Sequence, residues 1–189
     1  PRQCASVSKV VTFMVAAAAV NDGKVAWEDA VTVSALAAGV HGTSAGLSAG
    51  DTFTLLELCF GLMLPSGNDA ATAIAEHVGA VLPAVKALEE PWGDVRLSVR
   101  DATGKHPVLR FVAAMNTTVA ALGAARTTFA NPHGLMNEHH TTCAADVLAW
   151  SLHALRTFPL LTAIGATKKF SCTTSAGRAV TWTNTNRLL

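Results

Sequence analysis

Tyrosine is absent from the 189 residues, and charged side chains make up only 14%, against roughly a quarter in an ordinary globular domain. The missing tyrosine has no physical explanation. The scarcity of charge does not signal disorder, because half of the residues are hydrophobic and a disordered chain is poor in apolar side chains. Fourteen Lys and Arg oppose thirteen Asp and Glu, a net charge of +1. No basic stripe is visible, which excludes nucleic-acid binding driven by counterion release. Long apolar runs are missing too. The longest, Val10–Val20, is interrupted by Thr12 and holds eleven residues, where a membrane span needs about 20. It reads as a buried core helix. Its flanks do not suit a signal peptide, since only Arg2 and Lys9 precede it and no small-residue cleavage site follows. The chain starts at Pro1, not Met, and so reads as a piece of a longer product, with any targeting signal upstream.

The four cysteines, Cys4, Cys59, Cys143 and Cys172, contain no CxxC pair, which excludes a zinc ribbon or a dithiol redox motif. They read as small buried hydrophobes. A zinc peptidase has to be weighed because His133, His139 and His140 cluster, with Asp146 and His153 nearby. No HExxH is present, however, and adjacent histidines rarely chelate one ion together. These histidines read as solvated loop residues, and neither metal nor cofactor is expected.

What is present is a chain of helices joined by loops, the length of one domain. A helix is expected from about Ser6 to Val20, ended by the turn residues Asn21-Asp22-Gly23. Val31–Ser34 suits a short strand, and His41–Gly50 is a Gly/Ser loop without periodicity. Thr54-Leu55-Leu56-Glu57 is a capping box that opens a helix ending before Pro65. A further helix runs from about Asn68 to Val78, closed by Gly79. Residues 89–107 form the most polar segment, a loop or small excursion within one domain. Phe111, Val112, Met115, Val119 and Leu122 recur at helical spacing and stop at Gly123. Asn131-Pro132-His133-Gly134 is a tight turn. Thr142 is placed to cap a helix carrying Val147, Leu148, Leu152 and Leu155. Lys168–Thr174 and Arg178–Thr183 suit strands joined at Ser175-Ala176-Gly177.

Two short motifs point to chemistry. Ser6-Val7-Ser8-Lys9 stands at the head of the apolar helix, and a spacing of three sets Ser6 beside Lys9. A serine hydroxyl needs a base within reach to act as a nucleophile. Lysine becomes that base only when its pKa falls, which burial and the positive end of a helix both promote. The plain alternative is a helix cap beside a solvated lysine. Ser66-Gly67-Asn68 follows Pro65 on a loop between two helices, where a hydroxyl and a carboxamide two apart reach a common cleft. Its plain alternative is an ordinary turn.

S-x-x-K followed by S-x-N is the order found in penicillin-binding proteins and class A β-lactamases. The sequence resembles the serine-type D-Ala-D-Ala carboxypeptidases of peptidase family S11, the low-molecular-weight penicillin-binding proteins. The resemblance is carried by ASVSK (Ala5–Lys9), LMLPSGNDAATAIAEHVG (Leu62–Gly79), FVAAMN (Phe111–Asn116), TTFANPHGL (Thr127–Leu135) and TNTNRLL (Thr183–Leu189). It implies an α+β, β-lactamase/transpeptidase-like fold for residues 1–189, a partial catalytic domain. In it, the helical cluster is present and most of the central antiparallel sheet is missing from this chain.

The resemblance also implies roles. Ser6 would attack the penultimate D-Ala carbonyl of a peptidoglycan stem peptide, and Lys9 would take its proton. Ser66 would pass a proton to the departing D-Ala. Asn68 would hold the peptide and orient Lys9. The Ser6 backbone N–H would supply half of the oxyanion hole, and water would release the acyl group. His133 and Gly134 would shape the cleft. β-Lactams would acylate Ser6. Family members usually act outside the cytoplasmic membrane, often tethered by a C-terminal helix, which would make the setting extracytoplasmic. The family's K-T-G triad, which follows the segment resembling TNTNRLL, is not found in these residues, so this chain alone is expected to be inactive. A truncated or degenerate homologue that binds peptide or glycan without turnover is the alternative. A serine β-lactamase is a weaker one, because SGN replaces SDN and Glu138 is the only acid near the NPHGL turn.

Overall fold

Helix α1, Ser8–Asn21, forms the axis of the molecule in a computed structural model that describes residues 2–83 and 106–189. A 3-10 turn, Ala5–Val7, leads into it. The helix is apolar nearly all round: Val11, Phe13, Met14, Val15, Ala16, Ala17 and Ala19 are all buried. Such a helix is stable only when other elements surround it. Helix α4, Asn68–Val81, is of the same kind and buries Ala70, Ala71, Ala73, Ile74 and Ala75. Alanines favour the helix and let neighbouring backbones approach closely. Two central helices without a solvent face account for much of the missing charge.

The remaining elements wrap this pair. Strand β1, Ala30–Thr32, pairs antiparallel with β2, Thr52–Thr54, and between them lies the short helix α2, Ala35–Ala38. Helix α3, Leu55–Met63, starts at the expected capping box. The Glu57 backbone N–H donates to Thr54 Oγ1 at 3.1 Å, and the Thr54 N–H donates to the Glu57 carboxylate at 2.7 Å. Helix α5, Pro107–Ala121, has Pro at its first position, where the missing N–H costs nothing. It ends before Gly123, which adopts φ +78 as expected of a C′ glycine. Helices α6, Ala144–Thr157, and α7, Pro159–Gly165, lead to the hairpin of β3, Lys169–Thr173, and β4, Ala179–Thr183. Its turn contains Gly177 at φ +79. Phe170 of β3 stacks on Phe60 of α3 with ring centres 3.9 Å apart, and Trp182 of β4 lies 5.8 Å from Phe53.

Most boundaries follow the pattern of the residues, with informative differences. The strand expected at Val31–Ser34 is Ala30–Thr32. Thr142 does not cap α6: Cys143 holds that position without a side-chain capping bond, and the Thr142 hydroxyl pairs with Thr127 Oγ1 at 2.7 Å. Of the cysteines only Cys59 is buried; Cys4, Cys143 and Cys172 are half-buried, and all four are free thiols. The polar segment 89–107 lies outside the described residues except for His106 and Pro107. Among the described residues no single helix is long and apolar enough to cross a membrane.

Gly79 does not end its helix. It lies inside α4, where a Cβ would sit 2.0 Å from the carbonyl oxygen of Pro107. Its role is the close approach of α4 to the start of α5. Gly79→Ala should therefore lower stability by about 1–3 kcal/mol, the usual range for overpacking. Gly165→Ala, in open space at the end of α7, should be neutral or mildly stabilising. Urea denaturation midpoints of the two variants check the opposite signs.

Candidate active site

Ser6 sits on the 3-10 turn, and the first turn of α1 sets Lys9 behind it, with Nζ 3.0 Å from Ser6 Oγ. Lys9 is 2% exposed. Its Nζ donates to Asn68 Oδ1 at 2.8 Å and to the backbone oxygen of His133 at 2.9 Å. Both of these oxygens can only accept. When the amine carries two protons, they are held by the two carbonyl groups, and its lone pair is left facing the serine hydroxyl. Burial lowers the Lys9 pKa to about 8, against a smaller opposing pull from the Asp69 carboxylate. The group can thus exchange a proton near neutral pH.

The SGN segment reaches Lys9 because α4 begins at Asn68. The Asn68 side chain joins a loop to α1: its amide nitrogen donates to His41 O at 2.8 Å, while its oxygen accepts from Lys9. The Asn68 backbone N–H donates to Thr43 O at 2.8 Å. Ser66 adopts φ +60, a left-handed conformation uncommon for a residue with a side chain. Thr43 Oγ1 donates to the Ser66 carbonyl at 2.6 Å and so secures that turn. The Ser66 hydroxyl is buried and makes no hydrogen bond. Gly67 has no room for a side chain: a Cβ would lie 2.7 Å from an Asp69 oxygen and 2.8 Å from Ala45 Cβ.

Asp69 organises the facing loop. Its carboxylate accepts from Ala45 N at 2.8 Å, Leu47 N at 3.1 Å and Ser44 Oγ at 2.6 Å. The hairpin grips the same loop, since Trp182 Nε1 donates to Ala45 O at 2.6 Å. Neither Asp69 nor the pair His41 and Thr43 is singled out by the sequence. The His41–Gly50 loop has no periodicity, and its contribution to the site is mostly backbone.

The NPHGL turn forms the other wall. Asn131 Oδ1 accepts from the backbone N–H groups of His133, at 3.3 Å, and Gly134, at 2.7 Å. Thr12 of α1 donates to Pro132 O at 2.5 Å. Gly134, at φ +89, lies so close to the nucleophile turn that a Cβ would fall 2.0 Å from Ala5 O. Asn116 clamps the approach to this turn, accepting from Phe129 N at 2.8 Å and donating to Phe129 O at 3.0 Å. FVAAMN thus links to TTFANPHGL through one side chain. Asn116 is the only polar residue of FVAAMN, which is the signal that the sequence offers for it.

Two of the histidines are not solvated. His133 is 6% exposed and His140 1%. Burial holds the His133 pKa down to about 3, with the nearby Lys9 charge adding to the effect, and burial alone holds His140 at about 4. Both are neutral imidazoles with fixed partners, and the site uses the His133 main chain. His139 is half-buried and lies 3.5 Å from the exposed Glu138 carboxylate. Among the described residues no group of three His, Cys, Asp or Glu side chains is placed to hold a metal ion.

Ser6, Lys9, Asn68 and the His133-Gly134 turn therefore meet at one place, with Ser66 next to them on a strained turn. The model of the D-alanyl-D-alanine carboxypeptidase family, Peptidase_S11, matches residues 1–87 and 104–189. The carboxypeptidase DacF of Bacillus subtilis is 28% identical over 98% of this chain and 41% of its own length. The D-alanyl-D-alanine carboxypeptidase of Streptomyces sp. strain K15 is 28% identical over 100% of this chain and 60% of its own length. The chain thus spans between two-fifths and three-fifths of these relatives. The crystal structure of the Streptomyces K15 DD-transpeptidase superposes with a TM-score of 0.75 at 27% identity, covering 99% of this chain and 66% of that one. DacD of Francisella tularensis gives 0.74 at 25% identity, over 95% of this chain and 37% of its own. With its fold, its motifs and the family match in agreement, the chain belongs to the D-alanyl-D-alanine carboxypeptidase family.

Proposed function

We propose that residues 1–189 are part of a serine D,D-carboxypeptidase domain that removes the terminal D-Ala of peptidoglycan stem peptides outside the cytoplasmic membrane. The observation that carries the reading is the Lys9 amine, buried and bonded to two carbonyl oxygens, with Ser6 as its one remaining partner. Neutral Lys9 takes the Ser6 proton as the hydroxyl oxygen attacks the peptide carbonyl. The Ser6 N–H, on the open turn before α1, stabilises the developing oxyanion. Ser66, whose hydroxyl has no partner, relays a proton to the leaving D-Ala nitrogen. The Asn68 amide holds the substrate peptide and keeps Lys9 in place. His133 and Gly134 shape the wall of the cleft. Residues 1–189 contain no K-T-G, and this reading assigns the grip on the substrate carboxylate to a lysine outside them and the activity to the complete domain. β-Lactams, which mimic the D-Ala-D-Ala end, acylate the same serine.

Two outcomes are expected. Mass spectrometry of the full-length protein after incubation with benzylpenicillin finds one covalent adduct, on a peptide containing Ser6; the absence of a stable adduct would overturn the reading. The second concerns pH. The reactive form of Lys9 is the neutral amine, which is populated above its lowered pKa of about 8. The acylation rate should therefore rise between pH 6 and 9 and level off beyond. Lys9→Arg, whose guanidinium stays charged, should lose about 10²–10⁴-fold. A flat profile over this range excludes Lys9 as the base.

A further inference from the structure

The nucleophile turn rests on an uncommon backbone conformation. Ala5 has φ +46, a left-handed conformation that is strained for an L-residue with a side chain and persists only where its surroundings enforce it. The Ala5 carbonyl oxygen accepts two hydrogen bonds from Ser8, one from its backbone N–H and one from its hydroxyl at 2.7 Å. Ser8 is fully buried and its hydroxyl has two further neighbours. His140 Nε2 lies 2.7 Å away and Cys4 Sγ 3.2 Å away.

The direction of this network can be derived. His140 Nδ1 is 3.3 Å from the Ala130 backbone N–H, which can only donate. Nδ1 therefore accepts, and in the neutral imidazole the ring proton is on Nε2. Nε2–H then donates to Ser8 Oγ, and Ser8 spends its single proton on Ala5 O. The Cys4 thiol can donate to the second lone pair of Ser8. Every donor and acceptor of Ser8 is used, in one orientation. The imidazole is packed edge-on against Phe129, with ring centres 5.3 Å apart. Phe129 is in turn fixed by Asn116. The low pKa of His140 keeps it neutral at every pH at which the protein would work.

We propose that Ser8 and His140 are positioning residues of the nucleophile: a one-way relay, Ala130 N–H to His140 to Ser8 to Ala5 O, holds Ala5 left-handed. It thereby holds Ser6 Oγ at hydrogen-bond distance from Lys9. Neither residue touches the substrate, so the pair controls how fast Ser6 reacts and not how tightly ligand binds. This rests on the reading of Ser6 as the nucleophile.

The test uses the full-length protein and two electrophiles. A fluorescent penicillin reports both recognition and acylation. A small fluorophosphonate needs only an activated serine. Ser8→Ala and His140→Phe should lower the Ser6 labelling rate constant at least tenfold with both reagents, while the penicillin concentration at half-saturation changes less than twofold. Ser8→Thr restores the hydroxyl, and His140→Gln restores a donor and an acceptor, so these two should recover most of the rate. Wild-type labelling rates in Ser8→Ala and His140→Phe would overturn the proposal. So would equal losses in all four variants that track thermal stability alone. A wild-type protein that reacts with the fluorophosphonate but not with penicillin, and loses that reactivity in Ser8→Ala, would remove the carboxypeptidase reading and leave the relay standing. The tautomer is read independently by 15N NMR of the wild-type imidazoles at pH 7. A protonated Nε2 and bare Nδ1 on His140 are expected, and the reverse would overturn the relay whatever the variants do.

Discussion

A primary amine with almost no access to water governs this molecule. Burying an ammonium group without partners costs several kcal/mol, so the chain has to bring oxygen atoms to Lys9 or leave the group unstable. It brings them from three separate segments: the 3-10 turn through Ser6, the start of α4 through Asn68, and the turn after Ala130 through His133. Each partner sits on a segment without regular internal hydrogen bonding or at the first residue of a helix. Lys9 is therefore the point where three segments are fixed to one another, and the burial that these contacts make tolerable is what lowers its pKa to about 8.

Behind each loop stands a second layer with no chemistry of its own. Asp69 draws in the loop that carries His41 and Thr43. Asn116 fixes Phe129 and so the entry to the NPHGL turn. Trp182 reaches from the terminal hairpin to Ala45. The aromatic stack of Phe60, Phe170 and Trp182 anchors that hairpin on α3. Rigidity passes from the apolar helices outward through single polar side chains. Few charged residues take part: Lys9, Asp69, Asp146 and the Arg178–Asp51 pair, which also reaches Gly46.

What could be read in the sequence and what could not divide along physical lines. Local signals carried over well: the Thr54–Glu57 capping box, the glycine after α5 and the hairpin turn at Gly177 all act within a few residues. Ser6 and Lys9 are legible because a helix converts spacing into proximity. Asn68 required the family pattern, since nothing local says that it meets a lysine 59 positions away. The burial of His133 and His140 is not legible locally, because their partners Lys9 and Ser8 on α1 are 124 and 132 positions away. Gly79 is a similar case: a glycine that ends a helix and one that admits a neighbour look alike until Pro107 is placed beside it. The backbone donors and acceptors of His41, Thr43 and Ala45 carry no residue-type signal at all.

The contact between Gly79 and Pro107 has a topological consequence. It fastens the end of α4 to the start of α5, so the two helices meet at one seam. Whatever lies between is closed off at its base, and the entropy of closing a loop grows only slowly with its length. The family match breaks between residues 87 and 104, inside this seam. A change in the length of that connection would leave the two helix ends where they are and cost little in closure entropy, so the seam separates the length of this connection from the geometry around Ser6.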